Sequence, residues 1–396
     1  MIVVYYVPLA PRGSQQVLGP SVEGLLVRSL RALIVFLGLA FVAAAGEEFT
    51  LPIPEVVLPP EIPADNPPTE AKVELGKELY FDARLSSDGT IACASCHAPQ
   101  SGFADPRGTQ TSAGVGGQLG TRNSPTILNA LFLSEQFWDG RAATLEEQAL
   151  QPFINPIEMG IPDHAALVEK VTGLAEYGPL FEAAFGSSEV SDQRIGQALA
   201  SFERTLVALN APIDRFLAGD PSAISDSAKR GWGLFNGKAR CNTCHGWVEV
   251  FPLFTNELYH NIGVGVKNVD FASVAARASE AKTLEEIDAL ALTGAEASEL
   301  GRFLVTRELK DMGAFKTPQL RNVAVTPPYM HDGSEATLLD VIEFYDKGGK
   351  TNPYLDGGIR PLGLAPQEKA DLVELMETFT SDDLERFQDL VRLMPR

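Results

Sequence analysis

The chain has 396 residues, 45% of them hydrophobic and 21% charged, which is the composition of a globular protein and not of a disordered one. Its 52 Asp and Glu outnumber its 32 Lys and Arg, so the formal net charge is −20. That charge argues against a nucleic-acid surface built on clustered basic residues, and it allows a basic protein partner, although solubility alone also accounts for it.

An uncharged apolar run at residues 32–45 follows Arg28 and Arg31 near the N-terminus. The run is short for a membrane-spanning helix and has the length of a signal-peptide core, and the alanines at its end suit a cleavage site. The sequence therefore predicts a signal peptide over residues 1–45 and an exported, periplasmic protein. The residues before Arg28 are an unusual extension for such a signal, and an uncleaved anchor is the alternative.

Seven prolines between residues 52 and 68 predict an extended arm over residues 46–68. The stretch TEAKVELGKELYF, which starts at Thr69, has apolar residues at helical spacing and predicts the first helix. Strand-like alternation is sparse, and 35 Gly and 27 Pro predict long irregular loops in a mostly α fold. Further helices are predicted at residues 144–150, 163–173, 179–185, 191–209, 225–236, 283–298, 336–347 and 366–377.

A weak internal repeat predicts two similar units. GKELYF, with Gly76, and GWGLF, with Gly231, each precede a Cys-x-x-Cys-His motif. The predicted units are residues 69–220 and 221–396, and residues 266–300 read as an insertion in the second unit.

The two Cys-x-x-Cys-His motifs use every cysteine in the chain and two of its five histidines. This is the attachment pattern of c-type haem, since two thiols within one turn reach the vinyl groups of a porphyrin and the histidine binds the iron. A thioredoxin-like redox pair, a zinc site and a disulfide are the alternatives, but two complete copies favour haem. The residues are Cys93, Cys96, His97, Cys241, Cys244 and His245.

The sixth iron ligand decides what each haem does. A haem with two protein ligands carries electrons, whereas an open side allows peroxide to bind. The loop at residues 104–125 contains no His and no Met, so it offers no distal ligand for the first haem. The remaining histidines, His164, His260 and His331, are not predicted to be catalytic.

Four stretches in the same order resemble the bacterial di-haem cytochrome c peroxidase and MauG family: TRNSPTILNALF, QFWDGRAATLEEQALQPFINPIEMG, LYHNIGVG and FKTPQLRNVAVTPPYMHDGSEATL. The resemblance covers about residues 70–380. It implies two cytochrome-c-like haem domains, an N-terminal peroxidatic domain at 69–220 and a C-terminal electron-transfer domain at 221–396, with a calcium ion between them.

The resemblance also implies roles for individual residues. Glu158 matches the distal acid-base glutamate, Gln148 and Pro152 match other residues of the distal pocket, and Trp138 matches a tryptophan between the haems. The implied calcium ligands are Asn123 and the backbone carbonyls of Thr326 and Pro328.

Tyr345 stands where the peroxidases of the family have a methionine ligand to the second haem and MauG-like members have a tyrosine. A tyrosinate stabilises ferric and ferryl iron, and Met330 is a rival ligand. MauG-type protein oxidases carry a surface tryptophan where this chain has Ala239, although Trp232 and Trp247 flank the motif.

The function implied by the resemblance is reduction of hydrogen peroxide to water through a ferryl haem at the N-terminal site. The electrons come from a small redox protein, either a cytochrome c or a cupredoxin. The alternatives are a MauG-like oxidase that modifies a protein or peptide residue and a non-catalytic di-haem electron carrier. Arg321 is a candidate partner of a haem propionate.

Overall fold

The computed structural model describes residues 49–266 and 269–395, so the predicted signal peptide over residues 1–45 lies outside the described part. Within these ranges, no helix combines the length and the apolar composition that crossing a membrane requires. The predicted arm is described from residue 49, and it has neither helix nor strand before Glu70.

Fourteen α-helices and one two-stranded sheet make up most of the regular structure in the described residues. The mostly α fold predicted from the sequence is therefore confirmed. The strands β1 (Tyr259–His260) and β2 (Phe315–Lys316) pair antiparallel, with Tyr259 opposite Lys316. The helices are α1 (Glu70–Phe81), α2 (Cys93–Cys96), α3 (Leu145–Ile154), α4 (His164–Thr172), α5 (Tyr177–Phe185), α6 (Asp192–Glu203), α7 (Pro212–Leu217), α8 (Asp226–Asn236), α9 (Phe271–Ala278), α10 (Leu284–Thr293), α11 (Ala295–Ser298), α12 (Phe303–Thr306), α13 (Leu338–Asp346) and α14 (Pro366–Glu377).

Two helix crossings of the same kind organise the two halves of the chain. Helix α1 packs on α6, and α8 packs on α14. A Cβ atom on Gly76 would lie 1.9 Å from the carbonyl oxygen of Ala198, and one on Gly231 would lie 2.1 Å from that of Asp371. Only glycine permits such close contact between helices. The two stretches that suggested a repeat are therefore the same structural element in both halves.

A longer repeat follows each first crossing helix: residues 124–152 align without a gap with residues 317–345. Asn129 and Asn322 occupy the same place in it, and both have a backbone φ of +61°. The Nδ2 atoms of both asparagines donate to one acceptor, the carbonyl oxygen of Ala208, over 3.3 Å each. The two halves therefore share one hydrogen-bonded point on the segment between α6 and α7.

The C-terminal segment returns from the second half to the first. After α14, residues Asp382–Leu393 form 3-10 turns, and Phe387 packs in the apolar core of the first half. The ring of Phe387 meets that of Phe103 edge to face, with centroids 5.3 Å apart. The domain boundary at residues 220 and 221 stays a prediction, and the packing of this segment crosses it.

The region predicted as an insertion, residues 266–300, contains α9, α10 and α11. Its apolar side chains form a small separate core around Phe271, Val274 and Leu300. The helix predicted at 191–209 ends earlier, at Glu203, because the residues that follow turn toward Asn129. The backbone N–H of Asn129 donates to the carbonyl oxygen of Leu206 over 2.8 Å.

Candidate functional site

The first Cys-x-x-Cys-His motif forms the short helix α2, and His97 ends it. The Nδ1 atom of His97 lies 3.3 Å from the carbonyl oxygen of Phe103. A carbonyl only accepts, so Nδ1 carries the proton and the Nε2 lone pair is left for a metal ion. Phe103 has a positive φ of +57°, which turns its carbonyl toward the ring. Burial lowers the pKa of His97, so the imidazole stays neutral and able to bind iron.

The second motif repeats this arrangement. The Nδ1 atom of His245 lies 2.9 Å from the carbonyl oxygen of Phe254, whose φ is +58°. Burial lowers the pKa of His245 to about 4. Cysteines 93, 96, 241 and 244 are all free thiols, as haem attachment requires. Each motif therefore presents two thiols and one neutral imidazole.

An unpaired polar atom supports haem at the second motif. The indole nitrogen of Trp247, two residues beyond His245, is buried without a hydrogen-bond partner in the described residues. Buried N–H groups are rarely left unpaired in native proteins, so this donor indicates a group that the described protein atoms do not supply. A haem has propionate and edge atoms that can serve it, and the donor set of both motifs fits haem c.

Glu158 lies in the loop after α3, where it is half-buried. Its carbonyl oxygen accepts from the backbone N–H of Val115 over 2.9 Å, which fixes it against the loop at residues 104–125. Burial is the main cause that raises the pKa values of the Cys93 and Cys96 thiols, and the charge of Glu158 contributes to both. The structure therefore brings the Glu158 carboxylate to the first motif.

Gln148 and Pro152 lie one turn apart on α3, hence on one face of that helix. In the alignment of the two repeats, Pro152 takes the place of Tyr345 on α13. Burial is the main cause that raises the pKa of the Tyr345 phenol, and the charges of Cys241 and Cys244 add to it, so the phenol lies near the second motif. Proline has no side-chain donor atom, so the first site has no ligand where the second has a phenol.

Trp138 lies at the junction of the two halves. Its indole nitrogen donates to the carbonyl oxygen of Asn123 over 2.9 Å. Asn123 in turn donates from its side chain to the carbonyl of Gln110 over 3.2 Å and from its backbone to His331 over 2.7 Å. His331 follows Thr326 and Pro328 in one loop, so this bond joins the two segments that contain the predicted calcium ligands. The calcium ion itself stays a prediction.

His260, His331 and Arg321 have protein partners. His260 Nδ1 lies 2.7 Å from an Asp356 oxygen, and His331 Nε2 lies 2.9 Å from an oxygen of the buried Glu299. Arg321 is 1% exposed, and Asp214 engages both ends of its guanidinium at 2.5 Å. The predicted pairing of Arg321 with a propionate therefore competes with a complete ion pair.

Two buried acids, Glu299 and Glu203, were not among the residues predicted from the sequence. Glu299 comes from the segment that follows α11, and no motif marks it. Glu203 stands in the stretch FERT at the end of α6, and its counterpart LMET ends α14. Comparing the two halves position by position would have shown a carboxyl group in one and a thioether in the other.

Known proteins resemble this chain over most of its length. The model of the family described as di-haem cytochrome c peroxidase matches residues 70–222. The chain is 36% identical over 362 residues to the cytochrome-c peroxidase IdrP1 of Pseudomonas sp. (strain SCT), covering 89% of this chain and 92% of that relative. It is 37% identical over 353 residues to the methylamine utilization protein MauG of Methylophilus methylotrophus, covering 88% of this chain and 95% of the relative.

A solved structure agrees with the fold. The crystal structure of a MauG-like protein associated with microbial copper homeostasis matches with a TM-score of 0.70 and 33% identity, covering 86% of this chain and 99% of the other. The resemblance read from the motifs is thereby confirmed, and the family implies two covalently bound haem c groups. The chain belongs to the di-haem cytochrome c peroxidase and MauG family and is an oxidoreductase of the peroxidase type.

Proposed function

We propose that the protein reduces hydrogen peroxide to water with electrons from a small redox protein, and that peroxide binds at the N-terminal site. The observation that carries this is the difference between α3 and α13. Where the second site has the phenol of Tyr345, the first has Pro152, which cannot bind iron. The first site is therefore open to peroxide, and the second is suited to electron transfer.

A haem held by Cys93, Cys96 and His97 would supply the iron and the electrons for breaking the O–O bond. The protein supplies the proton transfer. The carboxylate of Glu158 accepts the proton of the peroxide oxygen that is nearer to the iron site. It returns this proton to the other peroxide oxygen, which then leaves as water. Gln148, on the α3 face that it shares with Pro152, orients the peroxide by hydrogen bonding.

Trp138 provides the path between the two sites. Its indole is held by Asn123 of its own half, and its backbone carbonyl accepts from Lys316 of the other half over 2.8 Å. An aromatic ring fixed from both sides shortens the distance over which an electron must pass through saturated groups. Calcium bound by Asn123, Thr326 and Pro328 would stiffen the same junction.

The donor is a cytochrome c or a cupredoxin, and the net charge of −20 favours a basic one. Such donors meet the protein outside the cytoplasm, consistent with export directed by residues 1–45. A MauG-like oxidase is the second candidate, supported by Tyr345 and by the similarity to proteins named MauG. Slow turnover with every small redox protein tested, together with long-lived oxidation of both haems, would favour that candidate.

The test of the proposal is Glu158→Gln, which keeps the shape of the side chain and removes its base. We expect the reaction with peroxide in rapid mixing to slow by about 10²–10⁴-fold while both haems remain bound. Glu169→Gln, on the exposed face of α4, is the matched control and should react as the wild type does. An unchanged rate in Glu158→Gln removes this residue from the mechanism.

The resting ferric spectrum tests the assignment of the two sites. We expect one high-spin haem, at the first motif, and one low-spin haem, at the second. Two low-spin haems and no spectral response to peroxide would leave only the non-catalytic electron carrier.

A further inference from the structure

The two halves differ at two equivalent positions beside the attachment motifs. The glycine crossings match Gly76 with Gly231, so Tyr80 on α1 corresponds to Phe235 on α8. The same crossings match the ends of α6 and α14, where Glu203 corresponds to Met376. The first half thus has a phenol and a carboxyl group where the second has a ring and a thioether.

The equivalence of the helix ends has independent support. The hydroxyl of Thr205 donates to the carbonyl of Phe202 over 2.7 Å, and that of Thr378 donates to the carbonyl of Leu375 over 2.6 Å. Glu203 therefore stands at the position of Met376 in the same local structure, and the difference between the halves is one of side-chain chemistry.

Glu203 is 6% exposed and has no hydrogen bond to its carboxylate among the described residues. The charge of Glu203 is among the causes that raise the pKa values of the Cys93 thiol and the Tyr80 hydroxyl, so its carboxyl group lies near both. Tyr80 in turn donates to the carbonyl oxygen of His97 over 2.6 Å. Glu203, Tyr80 and Cys93 form one buried cluster around the first motif.

The other charged groups that face Glu203 do not neutralise it. Arg204 is its neighbour on α6, but both of its terminal nitrogens bind the carboxylate of Glu146 on α3, at 2.7 and 3.0 Å. Burial is the main cause that raises the pKa of Glu203 to about 8, the charge of Arg204 opposes the rise, and that of Glu146 adds to it. An acid without its own counter-ion responds strongly to any change of charge nearby.

We propose that Glu203 takes up a proton from solvent when the haem attached at Cys93 accepts an electron, and releases it when that electron leaves. The electron comes from the small redox protein donor, and no bond is formed or broken apart from the O–H bond of the carboxyl group. Reduction removes a positive charge from the haem, which makes the nearby carboxylate easier to protonate. The inference rests on haem at the first motif, and it does not require peroxide activity.

The consequence is that the two haems respond differently to pH. Proton uptake stabilises the reduced first haem, so its reduction potential falls as pH rises. Phe235 and Met376 have no proton to exchange, so the equivalent positions contribute no such dependence at the second haem. Glu203 acts through its charge and not by contact with peroxide.

The test is a spectroelectrochemical titration of both haems without peroxide, from mildly acidic to alkaline pH. In the wild type we expect the first-haem potential to fall with pH, with a limit of a tenfold change in the equilibrium constant per pH unit, or about 59 mV for one electron. Glu203→Gln should lose this slope, and the potential of its second haem, measured in the same sample, should match the wild type.

Two further variants separate this role from a structural one. Tyr80→Phe should keep the slope, because the titrating group is still present. Glu169→Gln, on the exposed face of α4, should also keep it, and because the titration uses no peroxide its result does not depend on the proposed peroxide chemistry. Glu203→Met copies the second half and serves if Gln is not tolerated; it too should lose the slope. A pH-independent first-haem potential in the wild type, or an equal slope in either Glu203 variant, overturns the proposal.

Discussion

The backbone N–H of Asn123 donates to the carbonyl oxygen of His331 over 2.7 Å. In the corresponding bond from the other half, the backbone N–H of Lys316 donates to the carbonyl oxygen of Trp138 over 2.8 Å. Asn123 and Lys316 immediately precede the two aligned repeats, and Trp138 and His331 are equivalent within them. Asn123 of the first half therefore fixes the backbone of His331, and Lys316 of the second half fixes that of Trp138. Trp138 cannot shift without breaking a bond to the second half, which is the rigidity that a path between two haems requires.

A buried charge cluster stands behind this junction. Asp139 is fully buried and bonds Arg122 at 2.7 Å and Arg141 at 2.9 Å. We expect Asp139→Asn to lower the free energy of unfolding by about 3–5 kcal/mol, because it removes the carboxylate that pairs with two buried guanidinium groups. Denaturant unfolding measures the loss. Asp226→Asn, which breaks an exposed pair with Lys229, is the control and should leave the free energy of unfolding nearly unchanged.

The same carboxylate predicts a dependence of stability on pH. Burial alone would raise the pKa of Asp139, but the charges of Arg141 and Arg122 outweigh it and hold that pKa well below its ordinary value. The stabilisation is therefore fully present above the ordinary pKa of an aspartate and is lost as pH falls from there toward the folded value. We expect the unfolding free energies of wild type and Asp139→Asn to converge on acidification. A constant difference across that range would contradict this account.

The helix crossings predict opposite effects for two neighbouring glycines of α8. Gly231→Ala places a methyl group against the carbonyl of Asp371 and should destabilise the fold by about 1–3 kcal/mol, with a changed spectrum of the second haem. Gly233→Ala meets nothing within 4 Å and should stabilise α8, by up to about 1 kcal/mol. Thermal unfolding of both variants checks this, and equal effects would mean that α8 does not cross α14 at Gly231.

Tyr345 predicts the potential of the second haem. Burial favours the neutral phenol, so an anionic ligand there depends on the positive charge of ferric iron. We expect Tyr345→Met to raise the second-haem potential, since a thioether favours ferrous iron. Tyr354→Phe, in the small core around Phe271, is the control and should leave both potentials unchanged. Unaltered spectrum and potential in Tyr345→Met would show that another group binds the iron.

The charge of the chain predicts how donors are used. With a net charge of −20, association with a basic redox protein should be steered electrostatically and should slow as salt is added. An acidic donor of similar potential should show the opposite trend. Steady-state turnover with the two donors over a range of ionic strength measures this. The same salt response for both donors would mean that they bind a surface patch whose charge differs from the net charge of the protein.

The sequence identified most of the longer helices and both Cys-x-x-Cys-His motifs because these depend on local spacing, whereas α7 and α9 were not predicted. It did not identify relations between distant residues. The pairing of Arg321 with Asp214, the bond between His331 and Glu299 and the exchange at Asn123 depend on how segments pack, and no spacing encodes them. The end of α6 was placed too late for the same reason, since Leu206 belongs to a turn that Asn129 holds. Glu203 could have been identified from the sequence, because aligning the two halves matches it with Met376.

The contact between Phe103 and Phe387 makes the first site depend on a segment that lies far from it in sequence. The carbonyl of Phe103 orients His97, and the ring that supports Phe103 belongs to one of the last residues of the chain. A chain that has only its first half therefore lacks the ring of Phe387, which packs against Phe103 beside His97. A chain that lacks residues 382–393 should therefore lose order around the first motif, although the second motif is nearer to that segment in sequence.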